Sequence, residues 1–121
     1  MSESKQDWLQ RVADLHGLDT EDIEEIAELC IEDTASNVAN LQALTPDGDL
    51  ETGLRAAHSI KGSAANIGQS EMSEAAKVIE SQLRDNDFTN FKDNVIILDA
   101  ALKKFKALIG NWKWARQLVA Y

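Results

Sequence analysis

The sequence predicts an all-α protein, an antiparallel up-and-down four-helix bundle with a short N-terminal capping helix and a short C-terminal helical extension. Apolar residues recur at steps of three and four along most of the chain, which is the period of a helix with one buried face. The 121 residues include one proline and six glycines, so few turn-forming residues interrupt these helices. No segment has the alternating pattern of a half-buried strand. We therefore expect one domain over residues 1–121, with its core at about residues 7–109.

The first two helices are predicted from apolar stripes and from the residues that delimit them. The first stripe consists of Trp8, Leu9, Val12 and Leu15. Gly17 ends this helix, and Trp8 is expected to anchor it across one end of the bundle. Asp19 is predicted to cap the second helix through its carboxylate. The second stripe consists of Ile23, Ile26, Ala27, Cys30, Val38, Leu41 and Leu44, and it is interrupted by Thr34 and Asn37.

The remaining helices are separated by short turns, so neighbouring helices should run antiparallel. Residues 45–48 contain the only proline and precede the third helix, which Gly68 ends. Ser70 is predicted to cap the fourth helix, and residues 85–87 form the turn that follows it. The fifth stripe has the pattern of a helix packed in a bundle and consists of Phe91, Val95, Leu98, Leu102, Phe105 and Ile109. Residues 112–121 are expected to form the last short helix.

The charge and the single cysteine exclude several classes of protein. The formal net charge is −9, and an acidic surface repels both nucleic acids and anionic membranes. Cys30 is the only cysteine, so an intramolecular disulfide and a CxxC metal site are impossible, and its place in an apolar stripe predicts a buried thiol. Residues 1–7 lack the apolar core of a signal peptide, and no apolar run is long enough to cross a bilayer. A cytoplasmic location is expected.

Three residues of the third helix fall on one open face. His58 lies roughly 120° from the centre of the apolar stripe, at the edge of the core. Lys61 follows one turn later and can reach the same surface. Gly62 lies inside the helix, where glycine costs about 1 kcal/mol relative to alanine, and it leaves a bare patch that another backbone can approach. This combination indicates a reactive histidine with an open side.

The segment HSIKGSAANIG, residues 58–68, resembles the signature of histidine-containing phosphotransfer (HPt) domains. The order of the helices is also similar to that of the family over nearly the whole chain. The resemblance implies that His58 is the phosphoacceptor, that Lys61 offsets phosphoryl charge and that Gly62 gives the partner access. Members commonly carry a Glu or Gln 22 residues after the histidine that hydrogen-bonds Nδ1, and Glu80 occupies that position here.

The resemblance implies a phosphoryl carrier of a two-component phosphorelay, not an enzyme. His58 would accept a phosphoryl group from a receiver-domain aspartate, or from a sensor or hybrid histidine kinase, and pass it to another receiver. The receiver would supply Mg²⁺ and most catalytic groups, so this chain needs no cofactor or metal of its own. We expect a monomer that binds neither nucleic acid nor membrane. From helical geometry, the docking surface around His58 is predicted to include Arg55, Ala57, Ala65 and Gln69, with Arg84 on the next helix.

Other interpretations of the same residues remain. The main alternative is a helical adaptor that binds a receiver domain without accepting phosphate. A dimerising histidine domain of a sensor kinase would carry Glu or Asp after the histidine and a proline soon after, whereas Ser59 follows His58 and no proline does. A metal or cofactor bundle would require paired Glu-x-x-His motifs, which the sequence lacks. His16 precedes Gly17 at a helix end, where a capping role is expected.

Overall fold

The computed structural model describes residues 3–110, and every regular element in that range is a helix. The five helices are α1 (Lys5–His16), α2 (Thr20–Ala43), α3 (Leu50–Asn66), α4 (Ser70–Arg84) and α5 (Phe91–Ile109). The prediction of an all-α helical bundle is therefore confirmed. The short helix expected at residues 112–121 lies outside the described residues.

Side chains and glycines delimit the helices largely as the sequence predicts. Gly17 adopts a left-handed conformation with φ 67° and caps the end of α1. Asp19 accepts a hydrogen bond from the backbone N–H of Asp22 and caps the start of α2. The prediction for α4 was wrong, because Gln69 is the N-cap and Ser70 is already helical. After the tight turn at Gly68, which has φ 73°, α4 begins at Ser70, one residue earlier than predicted.

The four long helices form a ring in which α2 packs against α3, α3 against α4, α4 against α5 and α5 against α2. The turn between α3 and α4 is only three residues long, so these helices form a helical hairpin. Between α4 and α5, contacts pair the end of one helix with the start of the other. Gln82 hydrogen-bonds Asn94 near one end, and Lys104 contacts Glu71 near the other. Helix α1 packs against α2.

One hydrophobic core lies inside this bundle. The predicted stripe of α5 is buried at every position. Trp8 is completely buried and meets Phe105 edge-on, with ring centroids 5.4 Å apart. This contact joins α1 to α5, and aromatic pairs of this geometry contribute about 0.5–1.5 kcal/mol beyond the area they bury. Thr34 is also buried, and α2 continues through it without a break.

Two residues of the predicted stripes are exposed instead. Leu15 was assigned to the buried face of α1, and Ile26 to that of α2. Both helices bury a narrower face than the stripe suggested. Relative to the centre of the residues that are actually buried, each of these side chains is rotated by about 90°. Their side chains therefore remain available at the surface.

Cys30 is half-buried beside Thr34, with 3.8 Å between its Sγ and the threonine Oγ1. Burial raises the pKa of the thiol above its ordinary value. The thiol is therefore protonated at neutral pH, and it behaves as a small apolar side chain. None of the described helices is both long enough and apolar enough to span a membrane.

Candidate functional site

The α3–α4 hairpin brings His58 and Glu80 together. Both residues lie well away from the turn at Gly68, one on each helix. His58 Nδ1 lies 2.7 Å from Glu80 Oε2. The side chain of His58 is 67% exposed, whereas that of Glu80 is only 4% exposed. The ring is thus presented to solvent while its inner nitrogen is held by a buried carboxylate.

Both carboxylate oxygens of Glu80 have partners. Lys61 Nζ donates to Oε1 at 2.8 Å, while Oε2 faces the His58 ring. The hydrogen bond from Lys61 is the main reason that the pKa of Glu80 is lowered, and His58 and Arg84 act in the same direction against the effect of burial. Glu80 is therefore ionised at neutral pH. A buried anion is stable only when it is paired in this way.

The charge on Glu80 selects the tautomer of the histidine. An ionised carboxylate only accepts hydrogen bonds, so Nδ1 of His58 carries the hydrogen. In the neutral ring, Nε2 then keeps its lone pair. Within residues 3–110 no hydrogen-bonding group lies against Nε2. The arrangement therefore offers a nucleophilic nitrogen to solvent, with a negative charge behind the ring to stabilise a positive one.

The surroundings of His58 combine a cation with an open surface. Ser73 Oγ donates to the backbone carbonyl of Lys61 at 2.9 Å, which ties α4 to α3 at this level of the hairpin. Gly62 lies on the open side. A Cβ atom built there meets no heavy atom within 4 Å apart from its neighbouring residues and the backbone of its own helix, so the patch beside the ring is bare. Sequence reasoning did not identify Ser73, because a serine in a helix gives no signal of a contact with a neighbouring helix.

The predicted docking residues differ in their exposure to solvent. Arg55 and Ala65 are exposed, and Arg55 forms an ion pair with Glu51. Gln69 is half-buried at the start of α4, whereas Ala57 is completely buried. The prediction for Ala57 was therefore wrong. One residue of helix rotates a side chain by about 100°, which moves Ala57 from the face of His58 into the core with Ile60 and Ala64.

Arg84 is the docking candidate that forms an ion pair with Glu80. It follows Glu80 by one turn of α4, and its Nη2 lies 3.6 Å from Glu80 Oε1. Lys61 Nζ and Arg84 thus approach the same carboxylate oxygen from two helices. The side chain of Lys61 is 31% exposed and that of Arg84 is 63% exposed.

His16 has a different kind of partner. Its Nε2 lies 2.6 Å from the backbone carbonyl oxygen of Asn66, the last residue of α3. Because a carbonyl oxygen only accepts, Nε2 donates. The sequence predicted a cap on its own helix, but the ring binds an end carbonyl of another helix.

Four large apolar side chains are exposed around the end of α1 and in the first half of α2: Leu15, Leu18, Ile26 and Leu29. Leu18 and Ile26 line a small cavity together with Asn66 of α3. The sequence signal for Leu18 and Leu29 would have been their positions outside the predicted stripes, whereas Ile26 had been assigned to the buried face of α2. No cluster of three metal-ligating side chains is present between residues 3 and 110.

Comparison with protein families identifies the chain. The model of the Hpt domain family matches residues 25–108, which include α3, α4 and most of α2 and α5. Searches of the curated proteins and of the solved structures gave no match. Hpt domains are phosphocarriers that interact with receiver domains and kinases in two-component signalling. The matched range covers most of the chain and the whole of the His58 site, and the protein therefore belongs to the Hpt domain family.

Proposed function

We propose that this protein carries phosphoryl groups on His58, accepting them from a receiver-domain aspartate or a sensor kinase and passing them to a second receiver. The observation that carries the proposal is the hydrogen bond between His58 Nδ1 and the buried Glu80, beside an exposed Nε2. A histidine that only packed or capped a helix would not need an ionised carboxylate placed behind it. The carboxylate costs free energy to bury.

The transfer step follows from this geometry. The lone pair of His58 Nε2 attacks the phosphorus of an aspartyl phosphate on the partner. An N–P bond forms, the P–O bond to the aspartyl carboxylate breaks, and the electron pair of that bond stays with the carboxylate. The ring becomes positively charged and keeps the Nδ1 proton. Glu80 stabilises that charge from 2.7 Å, and the reverse step delivers the group to the second receiver.

Lys61 and Gly62 have supporting roles in the proposal. The ammonium group of Lys61 lies one helical turn from His58 and offsets the negative charge of the phosphoryl oxygens. The bare patch at Gly62 lets the loops of the partner approach the ring. Mg²⁺ would be bound by the receiver, so this chain supplies the acceptor and its electrostatic surroundings and needs no cofactor of its own.

The docking surface is proposed to extend from His58 towards the exposed apolar residues at the start of α2. Asn66 lies two turns beyond His58 on α3 and borders the cavity that Leu18 and Ile26 line. A receiver seated over the ring would therefore reach that cavity. Apolar contacts surrounded by polar ones are typical of such interfaces. The proposed contacts are Arg55, Ala65, Gln69, Leu18, Ile26 and Leu29.

The contacts between helix ends support a more detailed topology. We propose that α2 to α5 form an antiparallel up-and-down four-helix bundle and that α1 closes one end of it, within a single monomeric domain. Leu44 at the end of α2 packs near Gly53 at the start of α3, and Gln82 and Asn94 join the end of α4 to the start of α5. Antiparallel neighbours give such pairs.

The proposal is tested by incubating the protein with a receiver domain carrying radiolabelled phosphate. We expect wild type to acquire an acid-labile, base-stable phosphate, and His58→Gln to acquire none. His16→Gln is the matched control, because it removes the other histidine of the chain and should still be labelled. If wild type binds phosphorylated receivers but takes up no label, the protein is an adaptor. Label on His58→Gln would assign the phosphate to another residue.

A further inference from the structure

Glu80 has three cationic or hydrogen-bonding partners but only two oxygens. His58 takes Oε2, whereas Lys61 and Arg84 share Oε1 at 2.8 Å and 3.6 Å. Lys61 makes a full hydrogen bond, and Arg84 is close without being bonded. The carboxylate is 4% exposed, so water replaces neither partner. Oε1 is therefore hydrogen-bonded to one cation, Lys61, while a second cation, Arg84, lies just beyond hydrogen-bonding distance.

Phosphorylation of His58 changes the charges around Glu80. The phosphoryl group forms on Nε2, on the far side of the ring from Glu80. If the ammonium group of Lys61 follows the phosphoryl oxygens, it must move away from Oε1. Oε1 would then lose the cation that is hydrogen-bonded to it, while the positive charge of the ring faces Oε2. Breaking a buried ion pair in this way is unfavourable. Lys61 can move to the phosphoryl group at little cost in free energy only if another cation replaces it on Oε1.

Arg84 is built to take that place. It lies one turn after Glu80 on the same helix, and its side chain is 63% exposed and free to move. A shift of about 1 Å brings its Nη2 to the distance of a charge-assisted hydrogen bond. Its guanidinium remains charged at any physiological pH. Among the described residues, Glu80 is its sole ion-pair partner, so nothing else must be given up.

We propose that Arg84 is a positioning residue that replaces Lys61 on Glu80 Oε1 when His58 is phosphorylated. As the N–P bond forms, Lys61 moves to the phosphoryl oxygens, Arg84 closes onto Oε1, and the proton stays on Nδ1, hydrogen-bonded to Oε2. Oε1 of the buried carboxylate therefore has a cation bonded to it in both states. This exchange rests on the proposed phosphorylation of His58, and it gives Arg84 a role that is distinct from contact with the receiver.

Initial rates of phosphoryl uptake from a labelled receiver, measured over a range of receiver concentrations, test the exchange. Arg84→Gln should lower the rate at saturating receiver by about twofold to tenfold, the size of coupling between neighbouring groups. The receiver concentration for half-maximal rate should stay the same, and Arg84→Lys should restore most of the rate. Lys103→Gln is the matched control, because Lys103 is an exposed cation paired with Asp99 one turn away on α5. It should behave as wild type.

The same measurement in a Glu80→Gln background separates the exchange from docking. A neutral amide at position 80 needs no cation, so Arg84→Gln should then have no effect. If Arg84→Gln changes the half-saturating concentration, or slows uptake equally in both backgrounds, Arg84 contacts the receiver and the exchange is wrong. An unchanged rate in wild-type background also overturns it. Absence of label on wild type would instead refute the proposed function, because the exchange presupposes that label.

Discussion

The two histidines of this chain are both exposed, yet their surroundings differ in kind. At His58, a buried carboxylate accepts from Nδ1 and Nε2 is open. At His16, Nε2 itself donates to the backbone carbonyl of Asn66. An ionised carboxylate stabilises a positively charged ring, whereas a neutral carbonyl does so much less. The comparison shows that two exposed histidines can differ in which nitrogen is open and in the charge behind the ring. In the proposed function, these two differences make His58 the phosphoryl acceptor and leave His16 without that role.

Two glycines of the segment that resembles the family signature differ in the space around them. Gly62 faces open space near His58. Gly68, in the turn after α3, has a positive φ and is crowded by Arg11 and Val12 of α1, with Arg11 Nη1 3.0 Å from the position of an added Cβ. One region leaves room for a partner, and the other is closed by its own chain. The predictions below test this difference, from the largest expected effect to the smallest.

Removing the carboxylate should make the two histidines alike. Glu80→Ala should slow phosphoryl uptake about 10- to 100-fold, as expected for loss of the group that orients a reactive histidine. Glu80→Gln should lose less, because its carbonyl oxygen can still accept from Nδ1 of His58. Uptake is measured with labelled receiver, and circular dichroism checks that both variants remain helical. Unchanged uptake by a folded Glu80→Ala protein would remove Glu80 from the mechanism.

Substitutions at Gly62 should affect receiver docking and protein stability differently. Gly62→Leu should lower uptake at limiting receiver on the order of tenfold, equivalent to about 1.4 kcal/mol of docking free energy. Gly62→Ala should increase the free energy of unfolding by up to about 1 kcal/mol, since the position is helical and nothing opposes a Cβ.

Gly68→Ala is the matched control for folding. It should lower the free energy of unfolding by about 1 kcal/mol or more, because its φ of 73° strains a residue with a side chain. Both alanine variants are compared by urea denaturation. The comparison fails if the two substitutions shift stability in the same direction, or if Gly62→Leu leaves uptake unchanged.

The smallest effect should come from His16. His16→Ala leaves the carbonyl of Asn66 without its partner at the end of α3, and the free energy of unfolding should fall by about 1 kcal/mol. The variant should still accept phosphate on His58. Urea denaturation measures the first effect and labelling the second. An unchanged unfolding midpoint would show that water replaces the ring at no cost.

Features that depend on one helix at a time were predicted from the sequence. The period of three and four placed the buried residues of α5, and residue types located Gly17 and Asp19 at helix ends. The same period placed His58, Lys61 and Gly62 on one open face of α3. These features follow from 3.6 residues per turn and from local capping chemistry, so they need no knowledge of neighbouring helices.

Features that depend on how helices meet were decided only by the tertiary structure. Ala57 is one residue from His58 yet belongs to the core, and Leu15 is apolar yet exposed, because the packed neighbours set the width of each buried face.

The resemblance to HPt domains pointed to Glu80, but its sharing between Lys61 and Arg84 was not predicted. Neither was the bond from Ser73 to the backbone of Lys61, nor that from His16 to Asn66. The sequence by itself determined the helices and the face of α3 on which His58 lies. The packing of α4 against α3 decided the partner of His58, and the packing of α1 decided that of His16. Distances between side chains on different helices depend on interhelical spacing and rotation, which no local period encodes.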